Sequence, residues 1–397
     1  MFRFSPVTTH YTLLNALGGG VEASLQSLRQ GRSGLRPNDY APAPLQTWVG
    51  RVEGVEEALI PPELSAYDCR NNRLAAMCLE LDGFAGKVEA LRQRYGAGRV
   101  GVYLGTSTSG IEQTEIAYRR RDDEGKLPDD FHYMETQNIF SLGDFVRRYL
   151  KLQGPSQVIS TACSSSAKVF ATASRHMAAG LCDAAIVGGV DSLCSTTLYG
   201  FNSLELVSME MCRPWDAGRN GINIGEGAGF AVLEKAEAQS EGIALLGYGE
   251  SSDAYHMSTP HPEGEGALVA MQQALGRAGL EAAAIDYINL HGTATPSNDR
   301  SEDRAVTRLF GPTIPCSSTK GLTGHTLGAA GITEAIFAMM SIEHGLMPAS
   351  VNTEQKDPEL QANVLLENRE QPVRAAMSNS FGFGGSNCSL IFGRLPA

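Results

Sequence analysis

The sequence has 397 residues, 42% of them hydrophobic, and a formal net charge of −12. That balance allows a large core and argues against nucleic acid as a partner, because phosphate binding needs an excess of cations. Met1-Phe2-Arg3-Phe4-Ser5-Pro6 lacks the basic start and apolar run of a secretory signal. No stretch reaches the roughly 20 apolar residues of a membrane span, so a cytoplasmic protein without a membrane span is expected.

In chain order, residues 100–104 read as a short apolar strand ending in Gly105. Residues 112–136, which include Arg119-Arg120-Arg121-Asp122-Asp123-Glu124, read as an irregular, charged surface excursion. A β-branched run ends at Ile159. The small, hydroxyl-rich Thr161-Ala162-Cys163-Ser164-Ser165-Ser166 then opens a helix over 164–181, where Val169, Phe170, Ala173 and Met177 recur at helical spacing. Strands follow at 184–187 and 229–233. The polar stretch 234–242 divides the chain into halves of 1–241 and 242–397. The second half carries a helix over 266–278, a strand over 287–290 that runs into His291, and a helix over 327–342. It ends in a strand–turn–strand over 377–391 around Phe381-Gly382-Phe383-Gly384-Gly385. This alternation predicts a layered α/β protein with buried strands.

Eight cysteines are present with no CxxC pair and no HExxH spacing, so no metal site is expected. Cys163 stands out because a thiol at a helix N-terminus meets unpaired N–H groups and the positive end of the helix dipole, both of which favour thiolate. His291 follows an apolar strand directly, where sites in open α/β sheets gather. His325 precedes a helix in which Glu334 is the one charged residue from 327 to 342. A buried carboxylate needs a partner, and Lys320 is the candidate. Gly382, Gly384 and Gly385 would let backbone N–H groups approach a reacting oxygen.

Four motifs carry a resemblance: Thr161-Ala162-Cys163-Ser164-Ser165-Ser166, His291-Gly292-Thr293-Ala294-Thr295, Lys320-Gly321-Leu322-Thr323-Gly324-His325 and Asn379-Ser380-Phe381-Gly382-Phe383-Gly384-Gly385. Together they resemble the β-ketoacyl-acyl carrier protein synthases. The Cys-His-His set is similar to the elongating (type I and II) enzymes. The resemblance implies a thiolase fold, five α-β-α-β-α layers built from two similar halves, and an enzyme that extends an acyl chain by decarboxylative condensation with malonyl-acyl carrier protein. It implies that Cys163 carries the acyl chain and that His291 and His325 act on the malonyl thioester. Lys320 and Glu334 would hold the electrostatics. The N–H groups of Cys163 and Phe381 would form an oxyanion hole, with Phe381 also the gate. Phe201, Thr108 and Phe383 match acyl-pocket positions, and Thr293, Thr295 and Ser258 would bind pantetheine. No cofactor is implied beyond the carrier's 4'-phosphopantetheine. The partners implied are an acyl carrier protein and a second subunit, in a homodimer or a heterodimer with a related chain-length-factor subunit.

The chain also departs from the family's pattern. Glu205 stands where a basic docking residue is matched, so carrier docking is expected on Arg119, Arg120, Arg121 and Lys126. The altered N-terminal strand pattern and the polar Thr108 point away from housekeeping synthesis. Cys69-Arg70-Asn71-Asn72-Arg73 and Thr106-Ser107-Thr108-Ser109-Gly110 look similar to synthases of aryl-polyene pigment clusters. A housekeeping elongating synthase is the alternative within the class. A non-catalytic chain-length-determining partner, or an acyltransferase that stops at the acyl-enzyme, lies outside it. The intact Cys163, His291 and His325 argue against both.

Overall fold

The computed structural model describes residues 5–236 and 242–394. The first four residues of the N-terminal hexapeptide and most of the dividing stretch 234–242 lie outside these. Eleven strands form one hydrogen-bonded path: β1 Val7–Asn15, β2 Val100–Gly105, β3 Ser156–Ile159, β4 Ala184–Asp191, β5 Gly227–Glu234, β6 Ile243–Ser252, β7 Tyr287–Asn289, β8 Pro315–Ser317, β9 Asn363–Val364, β10 Ala375–Gly382 and β11 Ser386–Gly393. Their order is β9-β8-β7-β10-β11-β6-β1-β5-β4-β2-β3.

The pairing shows two copies of one pattern. Outward from β1, the partners β5 and β4 pair antiparallel, then β2 and β3 pair parallel. Outward from β6, β11 and β10 pair antiparallel, then β7 and β8 pair parallel. The two copies meet where β1 and β6 pair at Val7↔Ala244 and Thr8↔Ile243.

Burial on both faces explains why β2, β4 and β5 read as nearly unbroken apolar runs. Tyr103, Val187 and Leu233 of the first sheet share a central core with Tyr287, Leu390 and Phe392 of the second. Between the sheets lie helices α2 Ser165–Ala178 and α5 Ala330–His344. A Cβ on Gly331 would sit 2.4 Å from the Ala167 nitrogen, so glycine is what lets these two helices touch. The opposite faces, Val102 and Ile186 in one sheet and Ile288 and Met377 in the other, pack under outer layers of helix. Over the second sheet these are α3 Glu265–Ala278 and α4 Pro296–Phe310. The result is the five-layered α-β-α-β-α thiolase fold.

Two expectations shift. The excursion at 112–136 begins as a regular helix, α1 Ile111–Arg119, because its half-buried apolar face rests on the body. The helix expected from residue 327 begins as a single 3-10 turn, Leu327–Ala329, before α5. No helix among the described residues is long and apolar enough to cross a membrane.

Candidate active site

Each functional side chain sits where a strand of a parallel pair ends. β3 leads to a sharp turn in which Ala162 adopts φ 51°. That turn presents Cys163 two residues before α2. β7 ends two residues before His291. Gly292 follows with φ 46°, and a Cβ there would strike the Ser318 Cβ at 2.4 Å. β8 leads to Lys320 and His325, while β10 leads to the Phe381–Gly385 turn.

The three groups converge. His325 Nε2 lies 3.0 Å from Cys163 Sγ, and the two imidazoles sit edge to face with centroids 5.4 Å apart. Their hydrogen bonds fix the tautomers. The Leu327 N–H donates to His325 Nδ1 at 3.2 Å, and Lys320 Nζ donates to His291 Nδ1 at 3.3 Å. A neutral imidazole that accepts at Nδ1 carries its proton on Nε2. Both rings are neutral, because burial and the Lys320 charge hold their pKa values well below the usual histidine range. The site therefore presents two Nε2–H donors to one space. Cys163, His291 and His325 are also the one group among the described residues whose donor atoms, within 4.8 Å of one another, could hold a metal ion.

At the Cys163 thiol the thiolate-favouring helix start meets a larger opposing effect. Burial pushes it up to about 11, against the opposing pull of Lys320 and of the Phe383 and Cys163 N–H groups. Desolvation outweighs the helix start. The same geometry corrects the oxyanion hole. The backbone N–H that faces the sulfur beside that of Cys163 belongs to Phe383, not Phe381. Phe381 is a buried residue of β10 that pairs with Asn387 and packs edge-on to His291. Half-exposed Phe383 lies past the strand end, against Phe201 with centroids 5.4 Å apart, which is where a gate can move.

Lys320 Nζ reaches Glu334 Oε1 and the His291 carbonyl as well as His291 Nδ1, so the pair expected from sequence forms. Burial raises Glu334 to about 7 even beside that ammonium. A cavity of about 570 Å³, mouth included, is walled by Cys163, both histidines, Phe201, Phe381 and Phe383, with Ser258, Thr293 and Thr295 on its polar side. The Thr293 and Thr295 hydroxyls bond each other at 2.9 Å. Thr108 is not in the wall. It is buried, with its hydroxyl turned to Asp191 at 2.8 Å, because that carboxylate is the stronger acceptor. Of the four expected docking cations, Arg119, Arg120 and Lys126 already pair with Glu115, Asp130 and Asp129. Arg121 instead lies over the Tyr118 ring.

Sequence reasoning missed the carboxylates of α4. Glu302 accepts the His291 and Gly292 N–H groups at 2.8 Å each. Asp299 accepts those of Trp215 and Ala294 at 3.0 and 3.2 Å. Burial raises them to about 7 and about 6. The signal was available: acids at 299, 302 and 303 share one helix face directly after the His291 motif.

Residues 74–239 match the family described as "Beta-ketoacyl synthase, N-terminal domain", and residues 243–354 match its "C-terminal domain". The chain belongs to the β-ketoacyl synthase family. It is 32% identical to 3-oxoacyl-[acyl-carrier-protein] synthase 2 of Vibrio cholerae, across 98% of this chain and 99% of that protein. Among solved structures it is similar to the ketosynthase ApeO, in complex with its chain length factor ApeC, from Xenorhabdus doucetiae: TM-score 0.90, 39% identity, 99% of this chain and 98% of that one. A β-ketoacyl synthase from Burkholderia phymatum superposes with TM-score 0.88 at 30% identity, over 99% of this chain and 100% of that one.

Proposed function

We propose that this β-ketoacyl synthase performs the complete condensation on substrates carried by an acyl carrier protein. The supporting observation is the contact of 3.0 Å between His325 Nε2 and Cys163 Sγ, with His291 offering a second Nε2–H to the same space. The Cys163 sulfur attacks the acyl thioester carbonyl. The N–H groups of Cys163 and Phe383 receive the oxyanion, and the carrier thiol leaves with the proton. Malonyl thioester then binds with its carbonyl oxygen between the two imidazoles. Its carboxylate departs as CO2, and the electron pair moves onto that oxygen as an enolate held by both Nε2–H groups. The enolate carbon attacks the acyl group on Cys163, expelling the thiolate and releasing a chain longer by two carbons. Lys320 and Glu334 act by holding His291. Thr293, Thr295 and Ser258 border the channel that the pantetheine arm would fill. The nucleophile belongs to a half spanning 1–241 and both histidines to a half spanning 242–397.

The pathway we favour is a specialised type II system of the aryl-polyene kind, with a related chain-length-factor subunit as partner. Its support is the 39% identity to a ketosynthase solved with such a subunit. A housekeeping elongating role rests on the 32% identity to the Vibrio enzyme. The carrier would dock near Arg119, Arg120, Arg121 and Lys126 by displacing their local carboxylates. Intact-protein mass spectrometry tests the reading: incubation with saturated and aryl-unsaturated acyl-carrier proteins should load Cys163, and malonyl-carrier protein should then discharge it by extension. The better-loaded chain separates the two pathways. A folded enzyme that loads from no donor, alone or with a partner subunit, would overturn the condensing role.

A further inference from the structure

A buried carboxylate outside the catalytic set joins three loops of the site. Asp191, at the end of β4, is fully buried and has no cation partner among the described residues. Five groups donate to it instead: Thr106 Oγ1 at 2.7 Å, the Ser107 N–H at 2.8 Å, the Thr108 N–H and hydroxyl at 2.8 Å each, and the Gly328 N–H. This many donors can sustain a carboxylate that no salt bridge supports.

The placement of those donors matters more than their number. Ser107, held by Asp191, passes its own hydroxyl to the Ala162 carbonyl at 3.2 Å, and Ala162 is the left-handed residue that turns Cys163 into the cavity. Gly328 follows Leu327, whose N–H fixes the His325 tautomer and whose φ of 52° is itself left-handed. A Cβ on Gly328 would sit 2.7 Å from both Asp191 Oδ2 and Ser107 Oγ, so the turn is closed tightly on the carboxylate. One side chain thus ties the Cys163 turn to the His325 turn, from opposite halves of the chain.

We infer that Asp191 is a positioning residue that sets the distance and orientation between Cys163 Sγ and His325 Nε2. It touches no substrate and acts through Ser107 and Gly328. The inference builds on the condensing role proposed above, and its test is chosen to stand apart from that role. Alkylation of Cys163 by iodoacetamide, assigned by peptide mass spectrometry, would need no carrier protein, so its pH profile reports the sulfur's surroundings directly.

Asp191→Asn keeps the side-chain volume but turns one acceptor into a donor facing N–H groups. With the His325 turn loosened, the Nε2–H that supports the thiolate is lost. Alkylation of the folded variant should shift to higher pH, and condensation should fall about 100-fold, as expected for a displacement of about 1 Å. The sign is diagnostic. The charged and titratable groups around Cys163 are Lys320, Glu334, His291 and His325, and simple removal of a nearby negative charge would instead lower the thiol pKa. A downward shift, or an unchanged profile in a folded variant, overturns the inference. If Asp191→Asn does not fold, Ser107→Ala cuts only the link to Ala162. It should give a smaller upward shift, and an unchanged profile there overturns the inference equally.

Discussion

Two buried ion pairs in this molecule are built differently. Arg70 meets Glu226 twice, at 2.6 and 2.7 Å. Both Glu226 oxygens also accept a backbone N–H, from Val52 and Leu193, at 3.0 Å each. Lys320 meets Glu334 through one oxygen only, and Glu334 Oε2 has no partner among the described residues. A fully satisfied buried pair fixes structure, whereas a half-satisfied one is held at some cost to stability. The second pair tolerates that cost because the ammonium is shared with His291 and must set an imidazole rather than only close a gap. Burial explains why Glu334 is raised toward neutrality.

The largest effect expected is that of Cys163→Ala, which should abolish acyl loading by mass spectrometry while leaving the melting temperature near that of the parent. Loss of the fold would show that the residue is mainly structural. Next, Lys320→Met should lower condensation by about 100-fold or more, since His291 loses the donor that fixes its tautomer. Its melting temperature should drop more at pH 8 than at pH 6. The sign follows from linkage. Glu334 titrates near 7 in the folded protein and near 4.5 in the unfolded chain. The folded state therefore binds more protons between those values, and the carboxyl's contribution is intact at low pH and lost as pH rises through about 7. Removing Lys320 raises the carboxyl further and widens that window.

Arg70→Met should do the reverse of Lys320→Met. Stranding Glu226 should cost about 3–5 kcal/mol of stability, read as a lower melting temperature, with kcat preserved in the folded fraction. Equal damage to activity by both variants would erase the distinction between the two pairs. A smaller effect sharpens the site itself. Because Cys163 is pushed up to about 11, its alkylation rate should climb through pH 6–10 without levelling. A plateau below pH 8 would show that the helix start outweighs desolvation. Finally, His325→Ala should reduce malonyl decarboxylation more than self-acylation. The enolate depends on two Nε2–H donors, whereas the thiol is also assisted by Lys320 and by two backbone N–H groups. Proportional loss of both steps would contradict that.

Much of the site was legible in the sequence because its motifs are local. Cys163 is read from a strand end and a helix start. His291 is read from the strand before it, and the Lys320–Glu334 pair from a lone carboxylate in an apolar helix. Phe381 and Phe383 were not separable this way. Both sit in one glycine-rich stretch, and only the end of β10 at Gly382 decides that Phe381 is a strand residue while the Phe383 N–H faces the sulfur. The direction of the Thr108 hydroxyl was hidden for a related reason: it has a choice of directions, and a carboxylate 83 residues away in the chain decides it.

The sequence by itself determined the layered α/β class and singled out Cys163, His291 and His325, because hydrophobic period and local turn chemistry are short-range properties. Tertiary structure alone decided the protonation of the thiol, the tautomers of the imidazoles and the partners of Glu302, Asp299 and Asp191. Those depend on desolvation and on donors that arrive from distant strands, and neither is encoded within a motif's own length.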